Sequence, residues 1–122
     1  MTEAIQKKFH AEVEKYKLLQ KDLQKALAAR QTLDGQMNEN ALVKEEMALL
    51  EEGARVYKLI GPVLVKQDPD EAVQNVSKRL DYIKGELKRH DDLLKDLEAK
   101  QEASREEVSK LQQLLRQTQT KG

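Results

Sequence analysis

His10 and His90 are the only imidazoles in this chain, and there is no cysteine. A metal centre would need both histidines together, because thiolate ligands and disulfide staples are excluded. Arg30, with Asp91 and Asp92, is the most suggestive ion-pair constellation. Carboxylates are abundant, but no Gly-rich phosphate loop, nucleophile elbow or HExxH motif accompanies them. An enzyme is therefore not expected, nor is a metal or any other cofactor. Whether these residues act at all depends on the elements that carry them.

Composition narrows those elements. Charged residues make up 36% of the 122 positions, with one Phe, three Tyr and no Trp. So polar a chain does not build an ordinary globular core. Its richness in Leu, Ala, Glu, Lys and Gln marks long helices or coiled coils. Disorder is the alternative for such a composition, but the apolar residues are periodic. Lys and Arg number 22, as do Asp and Glu, so formal net charge is zero. That leaves no strong field for nucleic acid, and acids interleave with bases where a nucleic-acid-binding arm would carry a basic stripe. No apolar run reaches membrane-spanning length and no signal-peptide pattern opens the chain. A soluble cytoplasmic protein is expected.

The second half carries an unbroken heptad seam. From Val73, steps of three and four visit Val76, Leu80, Ile83, Leu87, His90, Leu94, Leu97, Gln101, Ser104, Val108, Leu111, Leu115 and Thr118. Asp68 as N-cap, Pro69 at the first helical position and Glu71 at capping-box spacing mark its start. The first half follows a looser seam through Ile5, Phe9, Tyr16, Leu19, Leu23, Ala26, Leu33, Met37 and Met47. Glu12, Arg30, Asn40 and Lys44 interrupt it. Towards its end, Ala41, Leu42, Val43, Met47, Leu49 and Leu50 spread around the helix, which predicts burial on several sides. Gly53 is the expected helix stop. Gly35 and Gly85 fall on outward positions, where glycine is tolerated.

These patterns predict helices over residues 2–52 and 70–121, joined by a linker over 53–69. Each helix would be roughly 75 Å long at 1.5 Å per residue. Matched lengths and a short connection predict a mainly α fold, a long antiparallel two-helix coiled coil within one domain over residues 1–122. Paired positions then mirror one another about Gly61. His10 and His90 fall far apart, so His90 reads as a polar seam residue. Arg30 comes near Asp91 and Asp92; pairing with them and snorkelling to water are equally open. A parallel dimer of unbroken helices is the rival, and Pro62 and Pro69 oppose it.

The linker holds the segment VYKLIGPVLVKQ, from Val56 to Gln67. Val56, Tyr57, Ile60, Val63 and Val65 are β-branched or aromatic, and Gly61-Pro62 sits between them. Two strands and a turn are predicted. Val56, Tyr57, Leu59, Ile60, Val63, Leu64 and Val65 crowd both faces of that hairpin. Full burial of those side chains is worth on the order of 10–20 kcal/mol as an upper bound. A lone hairpin is marginal in water, and exposed apolar strands have open edges that aggregate. Two thin helices cannot cover both faces. The hairpin, Val56 to Val65 with Gly61 and Pro62 at its turn, is therefore the candidate assembly element, contributing to a sheet or barrel shared among subunits.

At this point the chain resembles prefoldin, the hexameric co-chaperone of archaea and eukaryotes. The resemblance is carried by EVEKYKLLQKDLQK (Glu12 to Lys25), NENALVKEEMALL (Asn38 to Leu50), VYKLIGPVLVKQ and SKRLDYIKGELKR (Ser77 to Arg89). Heptads alone are generic, whereas the β segment between arms of equal length is specific. From about Glu98 onward the chain is generic coil. Room for a single hairpin matches the β-type subunits, because α-type subunits carry two.

The resemblance implies a double β-barrel body built from two α-type and four β-type subunits, with six coiled coils hanging from it. It implies that the far ends hold unfolded polypeptides, notably nascent actin and tubulin. These pass to the group II cytosolic chaperonin without nucleotide hydrolysis. Neither nucleic acid nor membrane is an expected partner. In that geometry both termini lie at the tip, and Ile5, Phe9, Leu111, Leu114 and Leu115 are the candidate client contacts, exposed by fraying of the helix ends. Glu12, Gln101 and Ser104 place polar residues on the seam just inward, which should loosen the distal half. Val108 to Gly122 contains Lys110, Arg116 and Lys121 and no acid, so a weak, salt-screened attraction for acidic clients is expected. The alternative is a structural coiled-coil tether with no affinity for unfolded chains.

Overall fold

The computed structural model describes residues 2–120; the side chains of residues 119 and 120, and all of Met1, Lys121 and Gly122, lie outside the described residues. Four elements follow in order: helix α1 (Thr2–Ala48), strands β1 (Val56–Ile60) and β2 (Val63–Gln67), and helix α2 (Pro69–Thr120). The fold is mainly helical, with two long helices and one antiparallel hairpin, as the seams and the linker predict. The chain divides into two compact units. One runs up to Ala29 and resumes at His90; the other spans Arg30–Arg89.

In the first unit the helices run antiparallel. Ala26 packs with Leu94 and Leu97, and Leu19 and Leu23 close over them. Ala26 thus falls between the two leucines that mirror pairing about Gly61 assigns to it. In the second unit the buried residues are Ala72, Val76, Leu80, Ile83 and Leu87, all on α2. Every residue of the predicted α2 seam from Val73 to Thr118 is buried or half-buried. On α1 the seam is shallower. Ala26 is its one buried residue among those described, and Ile5, Phe9, Tyr16, Leu19, Leu23, Leu33, Met37 and Met47 are half-buried. The polar interruptions Glu12, Arg30 and Asn40 are half-buried too, whereas Lys44 is exposed. A seam that includes long polar side chains cannot close as tightly as one of Leu, Ile and Val.

Helix α1 stops at Ala48, short of the expected end at residue 52. The amides of Leu49 and Leu50 donate to the carbonyls of Glu46 and Met47 at 3.1 and 3.3 Å. These three-residue bonds tighten and end the last turn. Its charges explain the early stop: the last turn holds no basic residue, and Glu45, Glu46, Glu51 and Glu52 crowd the negative end of the helix dipole. Gly53 is therefore not the helix stop. It occupies the third position of a separate turn, with φ 86°, closed by the Ala54 amide on the Glu51 carbonyl at 3.1 Å. Helix α2 begins at Pro69, one residue before the expected boundary, and the Ala72 amide donates its first intrahelical bond to the Asp68 carbonyl at 3.0 Å. The expected end of that helix, Lys121, lies outside the described residues.

Candidate assembly and client-binding surfaces

The hairpin pairs Val56 with Gln67, Tyr57 with Lys66, Lys58 with Val65, Leu59 with Leu64 and Ile60 with Val63. Gly61 and Pro62 form a two-residue turn in which Gly61 has φ 58°. Positive φ at the first turn residue and a ring-fixed φ at the second give the twist that antiparallel strands need. Directly opposed residues share a face. One face therefore carries Tyr57, Leu59, Leu64 and Lys66, and the other carries Val56, Lys58, Ile60, Val63, Val65 and Gln67. Both are rich in apolar groups, and nearly all of them are open. Leu59 is 68% exposed and Leu64 64%, and Tyr57, Ile60, Val63 and Val65 are exposed as well; only Val56 is half-buried.

The preceding helix end adds to this surface. Leu42, Val43, Leu49 and Leu50 are exposed, Leu49 at 78%. The burial on several sides expected for this stretch is not met within the single chain: Ala41 is exposed too, and only Met47 is half-buried. Met47, Leu50, Val56, Pro69 and Val73 line a groove together with the carboxylates Glu51, Glu52 and Asp70. The exposed apolar residues from Leu42 to Val65 all belong to one unit, and exposed apolar groups in such number make it the candidate assembly surface.

The candidate client contacts all lie in the other unit. Ile5, Phe9 and Leu115 are half-buried, Leu111 is buried, and Leu114 is exposed. They form a graded set: only Leu114 is freely offered while the helices are closed. His10 is exposed, and its ring meets that of Phe9 edge-on at a centroid distance of 5.8 Å. His90 is half-buried on the seam, as expected of a polar seam residue.

Just inward sits a polar contact that sequence periodicity does not pair. Ser104 is 2% exposed, and its Oγ donates to Glu12 Oε1 at 2.7 Å. Mirror pairing about Gly61 places Glu12 opposite Lys110, so the two residues read as separate polar interruptions. The available signal was that both interrupt the seam in the same stretch. Beside it, Lys15, Lys100, Ala103 and Glu107 line a groove with Glu12 and Ser104. On the outer surface, Arg105 Nε donates to Glu102 Oε2 at 3.0 Å, and its Nη2 bonds the other oxygen. That fork lowers the Glu102 carboxyl below its ordinary range, first through the hydrogen bond and then through the charge. It raises the Arg105 guanidinium for the same reasons. Among the described residues no helix is long and apolar enough to cross a membrane.

Comparison with known proteins agrees with this architecture. A model of the prefoldin subunit family matches residues 10–115. Prefoldin subunit 6 of Mus musculus is 53% identical over 119 residues, covering 98% of this chain and 94% of that protein. Prefoldin subunit 6 of Arabidopsis thaliana is 54% identical over 101 residues, covering 83% of this chain and 78% of that protein. The crystal structure of the prefoldin beta subunit from Thermococcus strain KS-1 superposes with a TM-score of 0.77 at 23% identity, covering 89% of this chain and 93% of that one. The single hairpin between two long helices, the continuous seam, the family match over residues 10–115 and relatives at 53% and 54% identity lead to one conclusion: this chain belongs to the prefoldin family.

Proposed function

We propose that this chain, with residues 1–122 acting as one prefoldin-like domain, is a β-type subunit of a hexameric prefoldin co-chaperone in the cytoplasm. Its hairpin joins those of other α- and β-type subunits in a shared β-barrel. Ile5, Phe9, Leu111, Leu114 and Leu115 contact unfolded polypeptides such as actin and tubulin. The complex passes them to the group II chaperonin without ATP, and the subunit catalyses no reaction. The observation that carries this reading is a hairpin apolar on both faces and exposed on both, in a member of this family. Such a surface calls for partner strands.

The test removes the ends and keeps the hairpin. Deleting residues 1–9 and 111–122 is expected to abolish suppression of client aggregation while native mass spectrometry still finds the oligomer. Loss of the oligomer, or undiminished suppression, overturns the assignment of the ends. A full-length oligomer that never suppresses aggregation points instead to a structural tether.

A further inference from the structure

We propose that the hydrogen bond between Ser104 and Glu12 is a latch that limits how far the helix ends open. It rests on the reading that those ends hold unfolded chains. Ser104 is the one buried polar residue among those described, at 2% exposed, and its bond to Glu12 spans 92 positions of sequence. Inward of it the seam is sealed by Ala26, Leu94 and Leu97. Outward, Leu111 is the only buried residue among those described, and Ile5, Phe9, Val108 and Leu115 are half-buried. The contact therefore stands between a closed stretch and a loosely closed one.

The chemistry suits a reversible closure. When the helices part, the serine hydroxyl exchanges its carboxylate partner for water, so the bond resists opening by its net stabilisation and re-forms on closing. The Glu12 carboxylate is only half-buried and borders a groove that Lys15, Lys100, Ala103 and Glu107 also line. It keeps part of its hydration, so the pair avoids the desolvation that burdens a fully buried charge. An apolar pair in the same place would close the seam with no polar group to solvate on opening. The polar seam thus does not simply loosen the distal half. It holds one level shut and leaves the apolar residues beyond it free to open.

Hydrogen exchange on the full-length chain, in the oligomer in which it is isolated, tests the latch. Ser104→Ala is expected to speed amide exchange about tenfold at residues 9–19 and 97–108, in keeping with loss of one hydrogen bond to a carboxylate. Exchange at Arg30–Arg89 is expected to stay unchanged, which a general loss of stability would not allow. Glu12→Gln keeps a neutral acceptor and should give exchange between the wild-type and Ser104→Ala rates. The pair Glu12→Leu with Ser104→Ala should exchange more slowly than wild type and capture less client. Unchanged exchange in Ser104→Ala, or faster exchange throughout the chain, overturns the latch. If exchange follows the prediction and client capture does not, the latch stands and the client-binding reading fails.

Discussion

Glu102 and Arg105 show how little a conspicuous ion pair has to do with the fold. They lie one turn apart on α2, both exposed, and the Arg105 fork holds the Glu102 carboxyl below its ordinary range. A carboxyl lowered in the folded state favours folding above its unfolded value, and that contribution is lost as pH falls through the folded one. Solvent screens it heavily at this position. Arg105→Gln is expected to return the Glu102 pKa upward, read by NMR titration of the side-chain carboxyl, with little change in unfolding temperature at neutral pH. A Glu102 titration that does not move shows that the fork is not formed in solution. Ser104 is the opposite case. Its seam position is legible in the heptads, but its partner is not, because mirror pairing assigns Glu12 to a residue further along α2.

Elements divide by how local their causes are. The start of α2 is legible because Asp68 and Pro69 act within one turn. The end of α1 is not, because Gly53 is an attractive stop and the opposing effect is diffuse: four glutamates at the negative end of a helix with no basic residue in its last turn. The hairpin turn is legible for the same local reason as the α2 start. Gly61 holds φ 58°, and a Cβ there would meet nothing within 4 Å. The cost of Gly61→Ala is then purely conformational, about 1–2 kcal/mol, measured by urea unfolding at fixed protein concentration. D-alanine at the same position, introduced by chemical synthesis, should remove that cost. Equal losses for the two enantiomers would trace the effect to the missing space instead of the backbone.

At the scale of the molecule, among the described residues, the apolar residues that the helices bury are fewer than those that the hairpin and the end of α1 expose. Leu59 and Leu64 stand opposite each other in the ladder, both largely open. Leu59→Lys with Leu64→Glu keeps an attractive cross-strand pair, so the hairpin survives. It also places charge where an apolar partner surface is needed. Native mass spectrometry is expected to show monomer in place of oligomer, with helical circular dichroism retained. An intact oligomer shows that this face of the hairpin is not the one that assembles.

The sequence by itself determined the two helices, the hairpin, its turn and the α2 seam. Heptads, caps and turn residues act over a few positions, and each is written in the residues that carry it. Only the tertiary structure decided which polar seam residues meet, how shallow the α1 seam is, and which of the candidate client contacts are closed. Leu111 and Leu114 are alike in type and lie three residues apart, yet one is buried and the other open. That difference comes from which side of α2 faces α1 at that level, together with the side-chain sizes on both helices. Ser104 makes the same point: its hydroxyl matters because a carboxylate 92 positions away reaches it.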